Sequence, residues 1–205
     1  MEIRRNRISL TRIISIFLLP SLSIPALSAP PTAVPRKSPD FAIYEPSGKV
    51  TQLSSLRGKV VVIEFLFLRS KHCMDVIQTL NQLNRELGPR GLQPIAIAFN
   101  KGDTGTLVNR MEQYFKLTFP VGYTSAENVD AFFGRMGNER LNIPQIVVID
   151  RTGMIRAQNG AKYDQGLENP ASLRTFLDAL LKENTPPQSV SEKTNSPAKT
   201  KKGGI

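Results

Sequence analysis

Residues 59–73 decide the fold of this chain, and they read Lys59-Val60-Val61-Val62-Ile63-Glu64-Phe65-Leu66-Phe67-Leu68-Arg69-Ser70-Lys71-His72-Cys73. The part from Lys59 to Phe67 is rich in β-branched residues and almost continuously apolar, which is typical of a central strand in a buried parallel sheet. From Cys73 the apolar residues recur at helical spacing as far as Leu87, and Gly88-Pro89 would end that helix. The sequence therefore predicts a buried strand followed directly by an amphipathic helix.

Strands and helices are predicted to alternate along the rest of the chain as well. The predicted strands are 41–44, 94–99, 119–121, 145–150 and 154–156, and the predicted helices are 106–117, 128–135 and 171–182. The last two strands form a hairpin. This order indicates an α/β protein with a mixed sheet.

The residue counts exclude several classes of function. The chain has 205 residues, 40% of them apolar, which is enough for one ordinary domain. It contains one cysteine, one histidine and no tryptophan. These counts exclude an intramolecular disulfide, a Cys-x-x-Cys pair, a cysteine-rich zinc site and a multi-histidine metal centre. We predict no metal and no cofactor.

The two ends of the chain differ in composition from the middle. Residues 1–28 run from arginines through an apolar stretch to small residues, the order of a secretory signal peptide cleaved after Ser28. A proline-rich linker is predicted at 29–37, one folded domain at 38–183, and a disordered basic tail at 184–205. The protein is therefore predicted to be exported, to the periplasm or the exterior, with an uncleaved N-terminal membrane anchor as the alternative.

The net charge of +10 is concentrated at these ends. Residues 1–28 hold four arginines against one glutamate, and residues 184–205 hold four lysines against one glutamate. The chain lacks the sustained basic stripe and the tryptophan platforms of nucleic-acid binders. We predict no nucleic-acid partner, and no membrane span once the signal is cleaved.

Three stretches carry a family resemblance: Ser38 to Phe41 with Leu56 to Val62, then Phe65 to Cys73, and finally Ile143 to Gly153. Their order and spacing resemble the redoxin branch of the thioredoxin-like superfamily. That branch holds extracytoplasmic thioredoxins of the cytochrome-maturation type and the alkyl hydroperoxide reductase and thiol-specific antioxidant family. The resemblance implies a thioredoxin-like fold, with a central mixed β-sheet flanked by helices. It also implies a partner that carries a thiol or a disulfide, either a protein or a small molecule.

The chain departs from the family pattern at the active-site corner, Ser70-Lys71-His72-Cys73. The attacking cysteine of a dithiol thioredoxin maps onto Ser70, and the resolving cysteine maps onto Cys73. A serine hydroxyl cannot replace a thiolate in disulfide exchange, so the two-thiol cycle is unavailable within one chain. Ser70 also stands where a helix N-cap is wanted, and serine is a favoured cap.

Cys73 has two interpretations. It is either a half-buried thiol that packs like a small apolar residue, or a single reactive thiol. The helix N-terminus and the charges of Arg69, Lys71 and His72 would lower its pKa, whereas burial would raise it. A reactive Cys73 could also link two chains in a disulfide-bonded homodimer. His72 is the one candidate base, although a histidine at the start of a helix is more often incidental than catalytic.

Pro144 bears on what the corner does. In the resembled fold this proline is cis and lies against the corner, and the backbone of the residue before it, Ile143 here, pairs with an extended substrate. The alternative interpretation is that Pro144 is simply the first residue of an edge strand. Ser70-x-x-Cys73 is close to the Thr-x-x-Cys frame of peroxiredoxins, but Leu66 stands at that family's proline and its arginine would fall near Pro144.

These features predict an exported redoxin-domain protein with thiol oxidoreductase or antioxidant-type activity through Cys73, by mixed disulfide or sulfenic acid chemistry. Two alternatives stay open. One is a single-cysteine peroxidase, and the other is an inactive binding module that uses the groove at Ile143 and Pro144.

Overall fold

The structure of the protein is a computed structural model that describes residues 33–136, 141–159 and 166–183. The predicted signal peptide, the tail and residues 29–32 of the predicted linker lie outside the described residues. None of the helices in the described ranges is long and apolar enough to cross a membrane.

The described residues form eight strands, four α-helices and two short 3-10 helices, Leu53–Leu56 and Gly88–Arg90. The strands are β1 (Arg36–Lys37), β2 (Ala42–Tyr44), β3 (Val50–Gln52), β4 (Val60–Leu66), β5 (Leu92–Ala98), β6 (Val121–Tyr123), β7 (Gln145–Ile149) and β8 (Met154–Gln158). The helices are α1 (Lys71–Leu87), α2 (Gly105–Phe115), α3 (Ala126–Phe133) and α4 (Pro170–Lys182).

All eight strands belong to one mixed sheet in the order β1-β8-β7-β4-β5-β6-β2-β3. Strand β4 lies at its centre, parallel to β5 on one side and antiparallel to β7 on the other. Every residue of β4 is buried, as its continuous apolar run predicts. The predicted thioredoxin-like α/β fold with a mixed sheet is confirmed.

The two faces of β4 pack against two separate groups of apolar residues. Val60, Val62 and Leu66 face a cluster that contains Cys73 and the apolar sides of α1, α2 and α4. The alternate residues, such as Phe65, face a cluster built with α3. Because side chains alternate across a strand, the polar Glu64 shares the face of Val62 and Leu66, which is the face that carries Cys73.

The structure differs from the sequence prediction at three short strands. Arg36–Lys37, at the end of the predicted linker, was not predicted as a strand but pairs antiparallel with β8. Strand β3 was not predicted, since it is three residues long and largely exposed. Strand β6 begins two residues later than predicted: Pro120 has no N–H to give to the sheet, and only its carbonyl accepts a hydrogen bond, from Ala96 at 3.2 Å.

Candidate functional site

The candidate site begins at the corner where β4 leads into α1. Ser70 is the N-cap of α1, and its hydroxyl accepts a hydrogen bond from the backbone N–H of Cys73 at 3.4 Å. The backbone N–H of Ser70 donates to the carbonyl of Phe67 at 3.0 Å, which closes the turn. The predicted capping role of Ser70 is confirmed, and it fixes Cys73 in the first turn of the helix.

The thiol of Cys73 is fully buried in the apolar cluster under α1. Burial raises its pKa above that of a free thiol, and the charge of Glu64 raises it further. Hydrogen bonds with the Ser70 side chain and the Phe67 backbone offset the rise only in part. At neutral pH the thiol therefore keeps its proton, so the activation expected from the helix N-terminus does not outweigh burial.

Glu64 is a site residue that the sequence analysis did not single out. Its side chain is completely buried, and within the described part of the chain neither carboxylate oxygen has a hydrogen-bond partner. Burial raises the pKa of Glu64 well above its ordinary value, and the nearby charge of Glu168 adds to the rise. The available signal was one acidic residue inside a seven-residue apolar strand.

Lys71 and His72 are both exposed, but they make different contacts. Lys71 pairs with Asp75 at 2.7 Å, and this contact stays within its own helix. His72 reaches across to the segment before α4, where its Nε2 lies 2.8 Å from Oε2 of Glu168. The only histidine of the chain therefore has a carboxylate partner, which the sequence did not indicate.

Glu168 continues this contact toward the loop that contains Pro144. Its Oε1 accepts a hydrogen bond from Nδ2 of Asn159 at 2.9 Å. The same Nδ2 lies 3.5 Å from the carbonyl oxygen of Pro144. We call this chain of contacts, from His72 through Glu168 and Asn159 to Pro144, the Glu168 bridge. Sequence reasoning missed Glu168 and Asn159 because no local pattern links residues so far apart in the chain.

The Ile143–Pro144 peptide bond is cis, as the resemblance implies. Pro144 is buried, whereas Ile143 is partly buried and packs against both apolar clusters, including the one that contains Cys73. The structure thus brings Ser70, His72, Cys73 and the Ile143–Pro144 loop to one end of the sheet. Residues 137–140, which precede this loop, lie outside the described ranges.

The described ranges 33–136, 141–159 and 166–183 contain no set of side chains that could bind a metal ion. No group of three or more His, Cys, Asp or Glu side chains there could hold an ion.

Comparisons with known proteins agree with this geometry. The chain is 27% identical over 124 residues to the thiol-disulfide oxidoreductase ResA of Geobacillus thermodenitrificans, which covers 60% of this chain and 67% of that protein. It is 24% identical over 123 residues to the ResA of Bacillus thuringiensis, with the same two coverages. The crystal structure of a thioredoxin-family thiol:disulfide interchange protein from Chlorobium tepidum superposes with a TM-score of 0.60 at 23% identity. It covers 73% of this chain and 98% of that one, and it supports the fold.

One family model decides the membership. The model of the AhpC/TSA family matches residues 34–158, which is more than half of the chain and includes both the corner and the Pro144 loop. The chain therefore belongs to the AhpC/TSA family, in the redoxin branch of the thioredoxin-like superfamily.

Proposed function

We propose that this redoxin is a single-thiol oxidoreductase, which binds a thiol- or disulfide-bearing partner and exchanges with it through Cys73. The observation that carries the proposal is the position of the chain's one thiol: it sits in the first turn of α1, capped by Ser70, at the end of the sheet that holds the cis Ile143–Pro144 loop. The matched ResA proteins are named thiol-disulfide oxidoreductases, which supports the same class of partner.

The proposed exchange has one reversible step. The sulfur of Cys73 attacks one sulfur of the partner's disulfide, a new sulfur–sulfur bond forms to Cys73, and the partner's own bond breaks. The released partner sulfur leaves as a thiolate and takes up the proton that Cys73 loses. Because the other corner position is Ser70, no second thiol of the chain can resolve the mixed disulfide. A second thiol, from the partner or from a small molecule, must attack the partner's sulfur in the mixed disulfide, so that a new disulfide forms there and Cys73 leaves as a thiol.

A second candidate, the binding module, is favoured by the burial of Cys73 and its raised pKa. In that case the corner and the backbone of Ile143 hold a partner segment without forming a covalent bond. The third alternative, a peroxidase, needs a thiolate at neutral pH, and the same raised pKa weighs against it. Pro144 also stands where the peroxidatic arginine is expected.

The reactivity of Cys73 with a disulfide reagent separates these candidates. With Ellman's reagent at neutral pH, we expect the folded protein to release one equivalent of thionitrobenzoate at least about 100-fold more slowly than the unfolded chain, because the thiol is buried and protonated. The rate should rise with pH. Cys73→Ser should release none, and peroxide consumption should be the same in that variant and the wild type.

If the folded protein reacts as fast as the unfolded chain, Cys73 is not shielded, and exchange through Cys73 is favoured over the binding module. The opposite outcome would contradict the proposal. If the folded protein reacts only as fast as it unfolds globally, measured by circular dichroism under the same conditions, the binding module is the better description. A disulfide-linked homodimer needs the same exposure of Cys73, and its band on a non-reducing gel should be absent in Cys73→Ser.

We also propose that the protein is exported, on the support of the signal-peptide pattern in residues 1–28. Expression of the full chain should give a product in the periplasmic or medium fraction, and N-terminal sequencing of it should begin at Ala29. A full-length product in the membrane fraction would instead indicate the uncleaved anchor. A full-length product in the cytosolic fraction would contradict export.

A further inference from the structure

We propose that Glu168 is a positioning residue, which holds the first turn of α1 against the Pro144 loop and thereby restricts access to Cys73. The inference rests on the proposed function in treating Cys73 as the reacting group. It adds a residue from the opposite end of the sequence to the control of that group. The observation behind it is the Glu168 bridge, in which each carboxylate oxygen serves a different segment of the site.

Glu168 is held in place by its neighbours. Leu167, the preceding residue, is buried in the cluster that contains Cys73. Asn169, the following residue, is the N-cap of α4, and its side chain accepts hydrogen bonds from the backbone N–H groups of Ala171 and Ser172. These contacts of Leu167 and Asn169 place the backbone on both sides of Glu168, and the Glu168 carboxylate lies within hydrogen-bond distance of His72.

Asn159 anchors the other arm of the bridge. Asn159 follows β8 directly and is 7% exposed, and its backbone N–H donates to the carbonyl of Ile146 in β7 at 3.0 Å. Its Nδ2 therefore reaches both Glu168 and the Pro144 carbonyl from a rigid position. The bridge thus joins the first turn of α1 to the Pro144 loop through Glu168 and Asn159.

The bridge restricts the thiol because His72 and Cys73 are consecutive residues of the same turn. Moving that turn outward to expose the sulfur of Cys73 separates His72 from Glu168. Moving the loop outward instead separates the Pro144 carbonyl from Asn159. Either opening breaks a contact of the bridge, so the bridge adds to the free energy needed for the thiol to meet a partner.

The test compares the Ellman's reagent rate of folded variants at neutral pH. We expect Glu168→Ala and His72→Ala each to react about three- to fivefold faster than the wild type, the effect that one partly exposed polar contact can supply. The double variant should react no faster than the faster single variant, because both substitutions remove the same contact between His72 and Glu168. Glu168→Gln keeps an oxygen that can accept from Asn159, so its reaction rate should lie between those of the wild type and Glu168→Ala.

The matched control is Arg174→Ala. It breaks the ion pair between Arg174 of α4 and Glu86 of α1, which ties α1 to α4 at the end of α1 opposite Cys73. Its rate should equal that of the wild type. If Arg174→Ala accelerates the reaction as much as Glu168→Ala, the effect is general loosening of the fold and the proposal is wrong.

The two single effects together separate opening from electrostatics. Removing the negative charge of Glu168 favours the thiolate, whereas His72→Ala removes no negative charge. A purely electrostatic role therefore predicts a faster reaction in Glu168→Ala and not in His72→Ala, and a bridge predicts that both rates rise. A faster reaction in Glu168→Ala alone, unchanged rates, or single effects that multiply in the double variant would each overturn the inference. Since the reagent needs no partner, the result does not depend on whether a natural partner exchanges with Cys73. If a variant loses its native circular dichroism spectrum, the comparison of Glu168→Gln with the wild type decides.

Discussion

Replacing Ser70 with cysteine is expected to turn this protein into a disulfide reductase, with insulin reduction by dithiothreitol at least about 100-fold faster than with the wild type. The position already has the geometry that the reaction needs. Ser70 is partly exposed at the start of α1, and its side-chain oxygen lies 3.4 Å from the backbone nitrogen of Cys73. A thiol placed there would point toward the buried thiol one helical turn away.

The physical reason for the gain is the difference between positions 70 and 73. A helix N-terminus lowers the pKa of a thiol at the N-cap, because the free N–H groups and the helix dipole favour the anion. Cys73 is buried and its pKa is raised, so in the wild type it attacks a disulfide only slowly. It needs only to resolve a mixed disulfide that is already formed beside it. Ser70→Cys would therefore supply the missing step of the cycle.

The controls for this variant are Ser70→Ala and the double substitution Ser70→Cys with Cys73→Ser. The alanine variant should stay at the wild-type level, which shows that loss of the hydroxyl is not the cause. The double variant should form a mixed disulfide but reduce insulin far more slowly than Ser70→Cys, because no thiol of its own chain resolves that disulfide and only dithiothreitol can. An inactive Ser70→Cys protein with a native circular dichroism spectrum would show that the corner geometry described here is wrong.

The sequence predicted those parts of the fold in which one local pattern is decisive. The apolar run of β4, the helical spacing that begins at Cys73 and the hairpin of β7 and β8 each extend over enough residues for burial to dominate. Strands β1 and β3 could not be predicted, since two or three residues carry no measurable periodicity. They form because neighbouring strands offer unpaired backbone groups.

The candidate site was predictable only where the family pattern marks it. Ser70, Cys73 and Pro144 stand at positions that the resemblance identifies, and the cis bond at Pro144 follows the same pattern. Glu168 and Asn159 carry no such mark, because their roles depend on how the ends of α4 and β8 meet His72 and the Pro144 loop. The direction in which the pKa of Cys73 is shifted could not be predicted either. The sequence shows the charges that would lower its pKa, but only the fold shows how completely the thiol is buried.

The second large effect concerns Glu64 and the dependence of stability on pH. Because burial raises the pKa of Glu64 in the folded protein, the folded state keeps a proton that the unfolded chain releases as the pH rises. The free energy of unfolding therefore falls by about 1.4 kcal/mol per pH unit between the pKa of the unfolded chain and that of the folded protein. Below this range the carboxyl is neutral in both states and costs nothing through ionisation.

Glu64→Gln should abolish this loss. Urea unfolding of both proteins between pH 4 and pH 8 is expected to give similar stabilities at the acidic end. The variant should gain on the wild type as the pH rises, to a difference on the order of 3 kcal/mol, which is what an uncompensated buried charge typically costs. Other carboxyls with lowered pKa values, such as Asp40 and Asp150, add slopes of the opposite sign, but they are the same in both proteins and cancel in the difference.

Glu86→Gln is the matched control for this measurement. The pKa of the exposed Glu86 is lowered by its hydrogen bonds with Gln82 and Arg174, so its folded-state stabilisation is present above the unfolded pKa and is lost as the pH falls. Glu86→Gln should therefore change the pH dependence of the free energy of unfolding only slightly, and in the opposite direction from Glu64→Gln. If the stability curves of Glu64→Gln and the wild type run parallel from pH 4 to pH 8, Glu64 ionises as readily in the folded protein as in the unfolded chain. Solvent or another partner would then stabilise this carboxylate in the apolar cluster around Cys73. The Cys73 thiol would lie beside a negative charge at neutral pH rather than in a neutral, water-free environment.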